Sequence, residues 1–354
     1  MPTRVRSYCK INLGLAVGPL RDDGFHALTT VYQTLQLHDF VTVTATPSTT
    51  TSILLTSNHR AVPRTEAGTA ERNTAYRIID RVLNHLALTA AVEIHIEKHL
   101  PVQGGMGAGS ANAIAAMLGL ERELGVFLPK PARLEVASEV GSDVPLFLLG
   151  GTVLGVGRGE DVYPLPDSPP LHCVVALPDI GVSTALAFQQ LDAAALTSAA
   201  PVDKLKQLSR ALASVWSTTG VESGPSGIAP TSRLELNPND LPSGRVSAMQ
   251  RDVRGDLAEN PLLALVRTGI ENDFEEVVFS QHPSLRSTKR DLVGSSRGSA
   301  VYAALSGSGS ALFGLYKSQT DASAAQHRVQ QHGTKAILTE TLPRRDYWHT
   351  MFAE

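Results

Sequence analysis

The chain has 354 residues, with 31 Lys and Arg against 34 Asp and Glu, for a formal net charge of −3. That balance offers no basic footprint for nucleic acid, no run reaches the ~18–20 apolar residues of a membrane span, and residues 1–10 lack the apolar core of a signal peptide. Two cysteines, Cys9 and Cys173, are too few for a disulfide framework, so the expectation is a cytoplasmic protein with room for two domains of roughly 100–200 residues each.

Alternation at Val41, Val43 and Ala45, and at Ile53 and Leu55, predicts short strands separated by Ser/Thr-rich turns. From Ala75 to Leu88, apolar residues at Ile78, Ile79, Val82, Leu83 and Leu86 recur at helical spacing. Val92, Ile94 and Ile96 alternate again into Lys98. A glycine-rich loop follows Pro101, then a helix over about 110–124 and a shorter one over 133–140, stopped by Gly141. Residues 146–156 are apolar and glycine-punctuated, as buried strands and turns are. Residues 171–178 read as a strand, 182–195 as a helix, 262–278 as helical, and 301–305 and 311–316 as two strands around a Ser/Gly turn. Between Ser217 and Val246, 13 of 30 residues are Gly, Pro or Ser, too few apolar groups to offset the entropy of ordering them. That stretch reads as a surface insertion. The whole pattern is α+β, with a domain boundary expected between Gly159 and Pro170.

The strongest chemical signal is the run Leu100-Pro-Val-Gln-Gly-Gly-Met-Gly-Ala-Gly-Ser110 between a strand and a helix. Glycines there let backbone N–H groups close on an anion, and the following helix turns its positive end toward the same point. A Walker A loop would need Lys where Gly109 stands, and a dinucleotide fingerprint would need an acidic residue ending the next strand, whereas Glu121 and Glu123 lie within the helix. Two other glycine turns, Gly141-Ser-Asp-Val-Pro145 and Ser306-Gly-Ser-Gly-Ser310, point to a shared ligand.

Together, Pro101–Ser110 and Ser306-Gly-Ser-Gly309 resemble the phosphate loop and C-terminal motif of the GHMP kinases, the galactokinase, homoserine, mevalonate and phosphomevalonate kinase family. The N-terminal signatures Cys9-Lys10-Ile-Asn-Leu13, Arg21-Asp-Asp-Gly-Phe-His-Ala-Leu28 and Gln33-Thr-Leu35, with Gly141–Pro145, are similar to those of members acting on a cytidine diphosphate substrate. The resemblance implies a GHMP fold with the active site between two domains, an ATP-binding one at 1–165 and a second at 166–354 that carries the insertion near 217–246. It implies ATP- and Mg²⁺-dependent phosphorylation of the 2-hydroxyl of 4-diphosphocytidyl-2-C-methyl-D-erythritol, on the non-mevalonate route to isoprenoids.

By the same resemblance, Lys10 and Asp143 flank the acceptor hydroxyl. Pro101, Val102, Gln103, Gly104, Gly105, Met106, Gly107, Ala108, Gly109, Ser110 and Ala111 hold ATP, with Asn73 and Lys98 on the adenosine side. Ser110 is also the expected metal ligand, since Ala111 stands where the family commonly has a second serine. Asn12 lines the substrate, His26 reads the cytosine edge, Phe25 and Phe188 stack on it from opposite sides, and Thr184 lies near the diphosphate. The alternatives are another small-molecule kinase of homoserine or mevalonate type, and a non-catalytic nucleotide-binding protein on the same scaffold. Two other patterns point elsewhere. Gly294-Ser-Ser-Arg-Gly298 satisfies a hydrolase expression around Ser296 but follows a polar segment rather than a buried strand. His95 and His99, four apart on a strand, stand about 13 Å from each other and form no chelate.

Overall fold

The computed structural model of the chain describes residues 2–102, 104–197, 261–267, 270–295 and 299–353. Gln103, Ser296 and the 217–246 segment lie outside the described residues.

The framework is a long antiparallel pair, β1 (Thr3–Leu20) and β2 (His26–Pro47), turning over at Arg21–Phe25. Sequence reading identified only the far end of β2 as strand, because both strands are buried on two faces for much of their length and lose the alternation of a half-exposed strand. β3 (Ser52–Ser57), β4 (Ala90–Glu97), β5 (Thr152–Val156), β6 (Asp161–Pro164) and β11 (Phe352–Ala353) complete the first sheet. Its path runs β11-β1-β2-β4-β3, with β5 pairing to β2 and β6 to β5. A second sheet, β10-β7-β9-β8, is built from β7 (His172–Leu177), β8 (Tyr302–Leu305), β9 (Leu312–Tyr316) and β10 (Lys335–Glu340).

Helices α1 (Thr74–Leu86), α2 (Ala108–Leu124) and α3 (Lys130–Val140) cover the first sheet. α2 is buried nearly all round by small residues, Ala111, Ala113, Ala115 and Ala116 among them. A Cβ at Gly119 would stand 2.7 Å from Val43, so glycine sets how closely this helix lies on β2. A second core joins the two sheets through Cys9, Ile11 and Leu13 of β1 and Cys173, Val175, Phe313 and Leu315 of β7 and β9. Beneath the second sheet lie α4 (Thr184–Thr197), α6 (Phe274–Gln281), α7 (Pro283–Val293) and α8 (Gln319–Gln331).

Three expectations change. The stretch 262–278 is two helices, α5 (Pro261–Arg267) and α6, separated where buried Asn272 turns its side chain to backbone groups. Residues 146–156 hold a 3₁₀ turn (Pro145–Leu148) and one strand, β5. The C-terminus does not stay with the second sheet: Leu342, Tyr347 of α9 (Arg344–His349) and Met351 pack into the first core, and β11 pairs with β1.

Candidate active site

Lys10 lies on β1, only 2% exposed. Its Nζ donates to Asn12 Oδ1 at 2.6 Å and to Gly105 O at 2.9 Å, and stands 3.3 Å from Asp143 Oδ2. Asn12 in turn donates to Thr30 Oγ1, which donates to Gly14 O. These bonds fix the ammonium group without neutralising it, and among the described residues the carboxylate beside it is that of Asp143. The Asp143 side chain keeps 35% exposure, so it reaches the protein surface while Lys10 is sealed behind it. Its Oδ1 accepts from Tyr32 Oη at 3.0 Å. Burial, then the neighbouring Asp143 charge, pushes the Tyr32 phenol well above its ordinary range, so it remains a neutral donor.

The glycine loop is anchored through its carbonyls. Met106 O accepts from Lys10 N, Gly105 O from both Lys10 Nζ and Ser306 Oγ, and Gly104 O from Ala311 N. Gly105 has φ +74°, and a Cβ there would lie 2.1 Å from Ser306 O. Gly107, at φ +67°, packs so closely on Lys10 and Phe147 that a Cβ would meet both at 3.1 Å. Ala111 N is bonded to Gly107 O in the first turn of α2. The preceding N–H groups, at Ala108, Gly109 and Ser110, head the helix, where no intrahelical acceptor exists and the dipole favours an anion. The Ser306–Ser310 turn closes the other side, held by Asn272 Nδ2 to Leu305 O and Gly307 O, both at 2.8 Å.

Other expected site residues stand as follows. Lys98 has its Nζ 2.5 Å from Asp39 Oδ2 inside the protein, and Asp39 Oδ1 also accepts from His99 N and Leu100 N at 2.8 Å. This buried pair shapes the entry to the glycine loop. Asn73 caps α1 through Ala75 N and donates to Pro63 O. The side chains of both residues are therefore engaged by the protein. Ala111 is buried in the first core, and Ser110 is the hydroxyl at the head of α2. Pro101 and Val102 lead into the loop.

At the other end of the long hairpin, His26 begins β2 next to the tip. Its ring stacks on Phe188 of α4, with centroids 5.0 Å apart and planes 13° from parallel, and Phe188 meets Phe274 edge-on. Phe25 is 51% exposed, with the Arg158 guanidinium 4.9 Å from its ring centroid. Phe25 and Phe188 thus do not face each other across an open slot: the partner on Phe188 is the His26 ring itself. Thr184 Oγ1 bonds Ser308 Oγ at 2.7 Å, tying α4 to the Ser/Gly turn.

Two portions of the chain match family profiles: residues 73–151 match the GHMP kinases N terminal domain and 254–335 the GHMP kinases C terminal domain. The 4-diphosphocytidyl-2-C-methyl-D-erythritol kinase of Solibacter usitatus is 35% identical, over 99% of this chain and 93% of that one. The chain belongs to the GHMP kinases. A GHMP kinase is a small-molecule kinase with ATP as phosphoryl donor, and the expected α+β architecture follows. Among solved structures, a 4-(cytidine 5'-diphospho)-2C-methyl-D-erythritol kinase aligns with TM-score 0.64 at 23% identity, covering 96% of this chain and 98% of that one. A homoserine kinase from Cytophaga hutchinsonii aligns with TM-score 0.62 at 18% identity, over 97% and 96% of the two chains. These two likenesses show the fold.

In this GHMP kinase, sequence reasoning passed over Tyr32, Thr30 and Asn272, and read Ser306 as part of a Ser/Gly turn without its bond to the glycine loop. Tyr32 stands opposite Asn12 in the β1–β2 pair, but two register shifts, between Val17 and Leu20 and between Asn12 and Gly14, bring it there, so a regular hairpin drawn through Arg21–Phe25 would have set Thr34 in its place. Ser306 and Asn272 act across the two sheets, and no local pattern announces that. The histidines outside the site have their own partners, His95 Nδ1 at Thr56 Oγ1 and His99 at Glu97.

Proposed function

We propose that this chain transfers the γ-phosphoryl group of ATP to the 2-hydroxyl of 4-diphosphocytidyl-2-C-methyl-D-erythritol, the activity named for the Solibacter usitatus relative. The observation that carries the reading is the Lys10–Asp143 pair, 3.3 Å apart, with Lys10 bonded to a carbonyl of the glycine loop itself. Phosphoryl transfer asks for positioning and charge stabilisation more than for covalent chemistry. The acceptor oxygen would sit against Asp143 Oδ2, with Tyr32 holding the other carboxylate oxygen. As that oxygen bonds to Pγ, the bond from Pγ to the β,γ-bridging oxygen breaks and its electron pair leaves with ADP. Asp143 orients the hydroxyl and receives its proton. Lys10, fixed by Asn12 and Gly105, faces the negative charge on the transferring group.

The donor set fits a Mg²⁺ that arrives with the nucleotide. Among the described residues no group of three or more His, Cys, Asp or Glu is arranged to hold a metal, and Mg²⁺ prefers one or two protein oxygens beside substrate phosphates. Ser110 would supply its hydroxyl, and Ala111 supplies none. When bound, the ion neutralises charge on the β- and γ-phosphates.

The substrate's cytidine would lie toward His26, Phe25 and Phe188, and its diphosphate toward Thr184. The test is ADP release with this cytidine substrate, homoserine and mevalonate as competing acceptors. Turnover confined to the cytidine substrate is expected; turnover of either of the others without it overturns the assignment.

A further inference from the structure

His26 carries a contact that bears on which base the site accepts. Its Nδ1 lies 3.0 Å from Gly18 O. A carbonyl can only accept, so Nδ1 carries the hydrogen and its role is fixed by β1. The other nitrogen, Nε2, lies 3.3 Å from Asp192 Oδ1 of α4. A carboxylate oxygen accepts hydrogen bonds and offers none. The side chain of His26 is 9% exposed and that of Asp192 is 49% exposed, so a half-exposed acceptor stands beside a ring that is nearly sealed.

We infer that Asp192 is a specificity-determining residue of this site, accepting the 4-amino group of a cytosine seated beside the His26 ring. The inference rests on the proposed cytidine substrate and extends it. Cytosine presents an amino donor beside a ring-nitrogen acceptor. Uracil presents the reverse, a carbonyl beside an N–H, which would set two oxygens against each other at Asp192. Such a reversal leaves polar groups facing like partners, and sites that read hydrogen-bonding groups reject analogues more strongly than apolar pockets do. No charge is needed on the base.

The test compares the wild type with Asp192→Asn, Asp192→Ala and Asp192→Glu. Calorimetry measures binding of CDP and UDP; ADP release measures kcat and KM for the cytidine substrate and its uridine counterpart. The wild type is expected to favour the cytidine ligand. Asp192→Asn and Asp192→Ala should lower the cytidine-to-uridine ratio by about tenfold, acting mainly through KM, a typical effect of one partly exposed charged hydrogen bond. Asp192→Glu should retain most of the preference. Unchanged ATP binding shows that each variant is folded. A wild type that binds CDP no better than UDP overturns the inference, as does a ratio that stays within about twofold in both the Asn and Ala variants. If CDP preference depends on Asp192 but no methylerythritol substrate turns over, the inference stands and the proposed activity fails. Turnover with an Asp192-independent ratio has the opposite meaning.

Discussion

Asp143→Asn separates chemistry from binding in this site. The substitution keeps the size of the side chain and leaves an oxygen for Tyr32 Oη, now 3.0 Å from Oδ1. Among the described residues it removes the acidic group that pairs with Lys10, at 3.3 Å, and it removes the proposed proton acceptor. Loss of a positioned general base costs roughly 10²–10⁴-fold in rate, equivalent to about 3–5 kcal/mol of barrier. The structural cost is smaller. Breaking a fully buried ion pair costs about 3–5 kcal/mol, but Asp143 is one-third exposed and the Lys10 ammonium keeps Asn12 Oδ1 and Gly105 O. About 1 kcal/mol of stability is therefore the expected loss. The assay is single-turnover quench with the cytidine substrate, which reads the chemical step apart from product release, beside calorimetric ATP binding and denaturant unfolding. The expected result is a rate lowered at least a hundredfold with ATP affinity within about threefold of wild type. A variant that keeps more than about a tenth of the single-turnover rate would refute the role given to Asp143.

Tyr32→Phe removes the phenol donor but not the carboxylate, so kcat/KM should fall by about three- to tenfold, in line with one hydrogen bond to a charged group; an unchanged value would show that Asp143 is positioned without it. Gly105→Ala places a Cβ 2.1 Å from Ser306 O at a positive φ, and the loop must move from the Ser/Gly turn to admit it. The expected outcome is a KM for ATP raised at least about tenfold, read in the same ADP assay. Asp39→Asn leaves the buried Lys98 ammonium without its counter-charge and should cost about 3–5 kcal/mol in denaturant unfolding, more than Asp143→Asn.

The residues that local physics controls were legible. Glycines before α2, the apolar spacing of α1 and the Asp-Gly-Phe-His turn all act within a few positions of themselves. What was not legible depends on register or on a distant partner. Lys98 carries nothing in its neighbourhood to show that its ammonium ends in a buried pair with Asp39, 59 positions earlier. The apparent helix 262–278 breaks at Asn272 because that side chain bonds the Leu305 and Gly307 carbonyls, groups no periodicity window contains. α8 escaped notice because its buried face, Ala322, Ala325 and Val329, is too small to raise an amphipathic signal. The expectation that Phe25 and Phe188 oppose each other came from resemblance; in this structure Phe188 has His26 as its stacking partner.

One carbonyl ties two of the glycine turns together. Gly105 O accepts from Lys10 on the first sheet and from Ser306 beside the second, so the phosphate loop is fixed by both layers at a point where any side chain would intrude. That arrangement says nothing about the acceptor substrate, and fold neighbours named for a cytidine-linked alcohol and for homoserine align almost equally well. In the proposed function, selection lies beyond the shared loop, at the hairpin tip and on α4, where His26 faces Asp192 and Phe188. Thr184 links that helix to the Ser306–Ser310 turn through Ser308. The proposed base site on α4 is thereby connected, through one hydroxyl pair and one turn, to the carbonyl that holds Lys10. In Thr184→Ala, which removes that hydroxyl pair while leaving His26, Asp192 and Gly105 in place, the preference for CDP over UDP should persist while kcat falls. A loss of base preference with kcat intact would place the connection elsewhere.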